Sequence, residues 1–113
     1  MTYKELDKFI AKIAEELGCP YSYYSSEWED VVKAPYLLFD YPDRNDLKAD
    51  NVNYVPIQAV RLEYDSRKRD LAAEFKIEKI LSEAELSYSK EAQKIDGQNV
   101  FETLYEMEVT ING

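Results

Sequence analysis

The residues able to do chemistry in this chain are almost all carboxylates. Asp and Glu together number 23, histidine is absent, and there is one cysteine, Cys19. Without histidine, every Ser–His, Cys–His and His–metal arrangement is excluded. Carboxylate pairs such as Glu27/Glu29 and Glu106/Glu108 remain as general acid–base candidates. In so acidic a chain such pairs arise by chance, and they read as solvated strand and loop positions. Asp43, Asn45, Asp46, Asp50 and Asn51 gather oxygen ligands in one stretch. Counted from Asp43 as an EF-hand loop, Leu47 falls where an oxygen is needed, Lys48 where glycine is needed and Tyr54 where glutamate is needed. The pattern fails and a polar loop is expected. The three glycines, Gly18, Gly97 and Gly113, build no phosphate-cradling loop. Cys19 has neither a histidine to activate it nor a second cysteine to bridge to, so it reads as a small packed hydrophobe. No catalytic, cofactor-binding or metal-ligating residue is assigned, and a protein that is not an enzyme is expected.

Charge narrows the partners. Against those 23 acids stand 14 Lys and Arg, a net −9. Duplex DNA is bound by a clustered basic surface, which this balance disfavours, and an anionic membrane is disfavoured for the same reason. No stretch approaches the roughly 20 apolar residues that span a bilayer. The opening MTYKELDKFIAKIAEEL mixes charge into its apolar pattern, unlike a secretion signal, so a cytosolic protein is expected. Neither a repeat nor a linker-like composition divides the chain, and one domain, residues 1–113, is expected.

The elements that must position these side chains follow from periodicity. Thr2 and Glu5 form a capping box, Leu6, Phe9, Ile10, Ile13, Ala14 and Leu17 repeat at helical spacing, and Gly18 and Pro20 close the helix. Tyr21 to Ser26 suits an extended segment. Residues Glu27 to Lys33, around Trp28, have no clear type. Pro35 opens the strand PYLLFDY, apolar on both faces and so expected to be central or covered twice. Pro42 ends it. Residues 43–51 read as a polar loop, and Asn53 to Tyr64 as a strand interrupted at Pro56. Within it Val60, Leu62 and Tyr64 point one way and Ala59, Arg61 and Glu63 the other. A second helix follows, capped by Asp65 or Ser66, with Ala73, Ile77, Ile80, Leu81 and Ala84 as its buried stripe. Arg67, Lys68 and Arg69 at its start oppose the macrodipole at a cost of about a few tenths of a kcal/mol each. Leu86 to Ile95 and Val100 to Ile111 form a hairpin turned at Asp96-Gly97. Its last strand sets Thr103, Tyr105, Met107, Val109 and Ile111 opposite Glu102, Glu106 and Glu108. The expected fold is α+β, a mostly antiparallel sheet of four to five strands with two helices packed on one face.

Several features point to protein–protein contact. Ten tyrosines are many for this length, and Tyr suits interfaces as well as strands. Leu71 and Phe75 lie off the main stripe of the second helix and either pack on the first helix or meet a neighbouring subunit. The triplet Arg67-Lys68-Arg69 is either a solvated turn or the complement of an acidic patch such as Glu27/Glu29/Asp30 on the next subunit.

From Pro35 to Ile111 the order of these elements resembles a family of small tail-completion proteins, the tail terminators of long non-contractile-tailed phages of Gram-positive bacteria. The resemblance is carried by Pro35-Tyr36 opening an aromatic strand, Ala49-Asp50-Asn51 with Tyr54 soon after, and Val60 to Tyr64 leading through a turn to Asp70. It continues through Glu74, Ile77, Glu78 and Leu81 on the helix, then Tyr88 and Glu91, and the closing Tyr105-Glu106-Met107-Glu108. The turn Asp65 to Arg69 departs from the family pattern in being longer and more basic. The resemblance implies a structural protein of the virion neck, assembled in the host bacterial cytoplasm. It would form a ring, usually of six copies, that caps the tail-tube protein and joins it to the head-side connector or stopper. In that setting Leu71, Phe75, Arg67, Lys68, Arg69 and Tyr36 are expected at the subunit interface. The acids Asp43, Asp46, Asp50, Glu102, Glu106 and Glu108 are expected to line a lumen that repels DNA. The alternative is a small acidic inhibitor or DNA mimic that binds a host nucleic-acid enzyme.

Overall fold

Thr2 opens the first helix by accepting a hydrogen bond from the Glu5 amide at 3.1 Å, while the Glu5 carboxylate accepts from the Thr2 amide at 3.0 Å. This reciprocal cap holds α1 (Tyr3–Leu17) from its first turn, and Gly18 at φ 68° releases the chain at the other end. In the computed structural model, which describes residues 1–24 and 32–112, α1 buries Leu6, Ile10, Ile13 and Ala14. Trp28 and the acids Glu27, Glu29 and Asp30 lie outside the described residues, as do Ser25 and Ser26 at the end of the extended segment expected from Tyr21.

Five strands make one sheet: β1 (Tyr21–Tyr23), β2 (Tyr36–Asp40), β5 (Ile57–Ser66), β7 (Val100–Thr110) and β6 (Tyr88–Ile95), in the spatial order β1-β2-β5-β7-β6. Only β1 and β2 run parallel; the other three pairings are antiparallel. The fold is α+β with a mostly antiparallel sheet. Two further strands, β3 (Leu47–Ala49) and β4 (Val52–Val55), form a separate hairpin, and α2 (Leu71–Glu83) joins β5 to β6. Strand period decides the two faces of the sheet. Leu37, Phe39, Val60, Leu62, Tyr64, Tyr105, Met107 and Val109 point into one apolar core shared with α1 and with Ala73, Ile77 and Leu81 of α2. Tyr36, Leu38, Arg61, Glu63 and Glu102 alternate with them on the other face, which among the described residues is helix-free.

Two expectations are corrected and one open alternative is removed. Asp65 and Ser66 do not cap the second helix: β5 runs on through both, paired with Glu102 and Phe101 of β7, and Asp70 is the cap, accepting from the Ala73 amide at 3.0 Å. Ladder bonds to β7, and to Tyr36 of β2 at Asp65, outweigh a local cap four or five residues too early. Residues 43–51 are not a loop throughout. Asp50 and Asn51 both take positive φ, 50° and 62°, the two-residue turn that joins β3 to β4; short polar side chains tolerate this conformation. Leu71 and Phe75 do not pack on α1, being 64% and 69% exposed. The break at Pro56 is present, β4 ending at Val55 and β5 starting at Ile57.

A buried charge fixes α2 to the sheet. Glu74 is 2% exposed. Its Oε1 lies 2.7 Å from Lys90 Nζ on β6, and its Oε2 lies 3.2 Å from Arg69 Nε. Lys90 also reaches Glu78 at 2.9 Å, and the Tyr105 hydroxyl donates to the same Glu78 oxygen at 2.8 Å. Burial by itself would raise the Glu74 carboxyl, but the hydrogen bonds and charges of Arg69 and Lys90 outweigh it and hold the group below the usual range.

The two sides of α2 give a direct check. Ile77→Ala, at a fully buried position, should cost about 2–5 kcal/mol in urea unfolding. Phe75→Ala should change stability by no more than about 0.5 kcal/mol. A large loss at Phe75 would show that this ring is covered within its own chain.

Candidate functional site

On the helix-free face the outward residues of β5 meet those of both neighbours. Asp65 stands opposite Tyr36 on β2 and Glu102 on β7; Arg61 stands opposite Asp40 and Glu106. Glu63 and Asp65 are two apart on one strand and so share this face. One carboxylate oxygen from each of Glu63, Asp65 and Glu102 lies within 4.8 Å of the others. Burial pushes the Glu63 carboxyl up to about 8, helped by a hydrogen bond with Asp65 and by the charges of Asp65, Glu102 and Asp40. The Tyr36 hydroxyl is likewise raised well above its ordinary value, by burial first and then by Asp65. Arg61 sits 3.9 Å from Asp40 and 3.4 Å from Glu106. Among the described residues no hydrogen bond reaches Oδ1 of Asp65 or Oδ1 of Asp40, both buried. Such a set can hold a cation or share protons.

Sequence reasoning missed this triad because it ended the strand at Tyr64. Had the alternation been carried one step further, Asp65 would have joined Arg61 and Glu63 on the outer face. Glu102 was already on the correct face by the alternation of β7.

The expected lumen acids divide. Asp46 is no free surface charge: its side chain is only 6% exposed and receives both Nε and Nη2 of Arg44 at 2.8 and 2.9 Å, Asn53 at 3.0 Å and the Ile57 amide at 3.0 Å. The Arg44 and Ile57 bonds hold its carboxyl down to about 2. Asp46 is thus the clamp at the base of the β3–β4 hairpin. Asp50 is exposed at the tip of that hairpin. Asp43, Glu106 and Glu108, expected from two separate stretches, come together with Glu85 in one groove of about 620 Å³ whose lining carries no Lys or Arg. Glu102 is half-buried in the triad instead.

The expected interface residues divide as well. Arg67 and Lys68 are exposed, whereas Arg69 is committed to Glu74 and lies 5.1 Å over the Phe101 ring. Tyr36 faces Asp65 across the outer sheet face, half-buried. Most other tyrosines pack internally: Tyr21, Tyr23 and Tyr41 surround Phe39, and Tyr88 meets Tyr105 edge-on at 5.5 Å. Among the described residues, two groups of uncovered apolar side chains stand out. One is the hairpin, where Ala49 pairs with Val52, and Leu47, Val52 and Tyr54 are 55%, 61% and 71% exposed. The other is Leu71 with Phe75. The hairpin leads into the start of β5 and the helix follows its end, so ten residues of strand, roughly 30 Å, separate the two patches. The hairpin patch gave little warning in the sequence, since its apolar residues are interspersed with Lys48, Asp50, Asn51 and Asn53.

In comparisons with known proteins, no family model matches the chain and no curated protein does.

The Asp46 clamp has a readable consequence. Its carboxyl lies below the ordinary value of 3.8, so the stabilisation it supplies is complete above that value and is lost as pH falls through about 2. Nuclear magnetic resonance of the Ile57 amide should show Asp46→Ala raising its exchange about tenfold at neutral pH. In the wild type the same bond should persist to about pH 3. Unchanged exchange in the variant would show that the hairpin is held by other contacts.

Proposed function

We propose that this chain is a phage or prophage assembly protein, a tail terminator that forms a ring, usually of six copies, on the tail tube and joins it to the head. The observation that supports this most directly is the pair of uncovered apolar patches at opposite ends of β5. A patch that pairs with itself gives a closed dimer. Two different patches on one subunit suit a head-to-tail contact, which closes into a ring when the rotation fits. In this reading the hairpin of one copy, with Leu47, Val52 and Tyr54, sits on Leu71 and Phe75 of the next. Arg67 and Lys68 beside that helix are left to steer the approach. The groove acids Asp43 and Glu108, with Asp50 at the hairpin tip, are the acids still available to line a DNA-repelling lumen; Glu106 is paired with Arg61. Asp46 leaves that set because Arg44 neutralises it. A DNA mimic would instead display its acids as an open row; here Glu63, Asp65 and Asp40 are buried or half-buried, which favours the ring.

Particles assembled without this protein should carry overlong tails detached from heads in electron micrographs. Normal-length, attached tails would overturn the terminator role. Complementation with the double variant Leu71→Glu, Phe75→Glu should fail to restore tail length, although the isolated variant unfolds at nearly the wild-type urea concentration. Full restoration would remove this helix from the ring contact.

A further inference from the structure

We propose that the carboxylate of Asp50 on one copy seats against Arg67 and Lys68 of the next, fixing the direction and register in which the β3–β4 hairpin lies along α2. This anchor presupposes the head-to-tail ring proposed above and adds to it the order of contacts. Asp50 thereby leaves the lumen set, which keeps Asp43 and Glu108.

The hairpin is two-faced. Lys48 pairs with Asn53 across its ladder, and Ala49 pairs with Val52. Strand alternation therefore places Ala49, Val52 and Tyr54 on one face and Lys48 and Asn53 on the other. The polar face is tied back to the body of the chain, since Asn53 donates to Asp46 at 3.0 Å. The apolar face has no cover among the described residues. A two-stranded hairpin is marginal in water until such a face packs on something.

The order of groups along each surface selects the partner. From its tip the hairpin reads acid, apolar, apolar: Asp50, Val52 and Tyr54, the last two roughly 7 Å apart. From its N-terminal end the exposed side of α2 reads base, apolar, apolar: Arg67-Lys68, Leu71 and Phe75, the last two roughly 6 Å apart. Laid tip to helix start, Val52 meets Leu71, Tyr54 meets Phe75 and Asp50 reaches the two cations. Those cations are available. Arg67 and Lys68 are exposed and make no ion pair among the described residues, whereas Arg69 is committed to Glu74. They wall an open cleft of about 560 Å³, and Asp70, the acid in it, already accepts from the Ala73 amide. Asp50 is likewise exposed and without an ion pair among the described residues. The opposite direction would carry Asp50 toward Lys79, but also toward Glu83 and the negative end of the helix dipole. Charge favours the N-terminal end, where Arg67 and Lys68 oppose the dipole and an acid offsets them.

The test is complementation of particles lacking this protein, read as infectious titre, with each purified variant checked to unfold near the wild-type urea concentration. Asp50→Lys alone, and Arg67→Asp with Lys68→Asp, should each lower the titre by about tenfold or more, as expected for a close charge pair across an interface. Joined in one chain, the three changes should restore the titre to within about threefold of wild type, because they re-form the pair with its signs exchanged. Asp50→Asn, which keeps a residue suited to the positive φ of this position, should lose titre in the same direction. Asp50→Lys at wild-type titre, or a triple variant no better than the double, would overturn the anchor and return Asp50 to the lumen set. The ring itself would stand in that case if Leu71→Glu, Phe75→Glu is still inactive, and its contact would fall too if that variant is active. Rescue of Asp50→Lys by Lys79→Asp instead would overturn the direction.

Discussion

The rest of the structure depends on how one buried carboxylate is satisfied. Glu74 lies on the sheet-facing stripe of α2, where an apolar residue would be ordinary, and it is covered almost as completely as Ile77 one turn along. An unpaired charge there would be untenable. Its two partners come from different places: Arg69 from the turn before the helix, Lys90 from the strand after it. The pairing thus sets the exit of β5, the rotation of α2 and the placement of β6 together. Lys90 passes the same constraint to Glu78, and Glu78 to the hydroxyl of Tyr105 in the centre of the core. A pair of this type is better at choosing one arrangement than at adding stability, because its attraction is largely spent on desolvation.

Much of the fold was legible because local and global signals agree. The α1 cap, its apolar stripe and Gly18 all describe one helix, and the alternation of Val60, Leu62 and Tyr64 describes one buried strand face. Legibility failed where a short-range signal competed with pairing. Asp65 and Ser66 look like helix caps, yet cross-strand partners on β2 and β7 keep them extended. Asp50-Asn51 lacks the glycine that usually announces a tight hairpin, so its flanking strands read as loop. The sequence also left Leu71 and Phe75 undecided between a neighbouring helix and a neighbouring molecule; only the direction in which α2 lies on the sheet removes the first option.

The candidate sites were less legible, for a physical reason. In a chain with 23 acids, identity says nothing about role; environment does. Asp46 and Asp43 are three residues apart and read alike, yet one is held near pH 2 by Arg44 and the Ile57 amide while the other stands exposed at a groove. Glu102 and Glu106 are two strand repeats apart on one face, and one belongs to a convergent triad while the other faces Arg61. Such distinctions arise from register between distant strands, which no spacing along the chain encodes.

The outermost strand has a consequence for how copies of this molecule avoid one another. Among the described residues β6 ends the sheet, so the backbone groups along one side of Tyr88–Ile95 have no strand there to pair with. In the symmetric antiparallel register between two copies, Lys90 would face Gln93, Lys94 would face Ser89 and Glu91 would face Ala92. Directly across the seam no charge meets its opposite: the two lysines and the glutamate of each copy face Gln93, Ser89 and Ala92. Stacking edge to edge into fibrils is therefore discouraged, and a concentrated solution of this protein keeps its open strand in water.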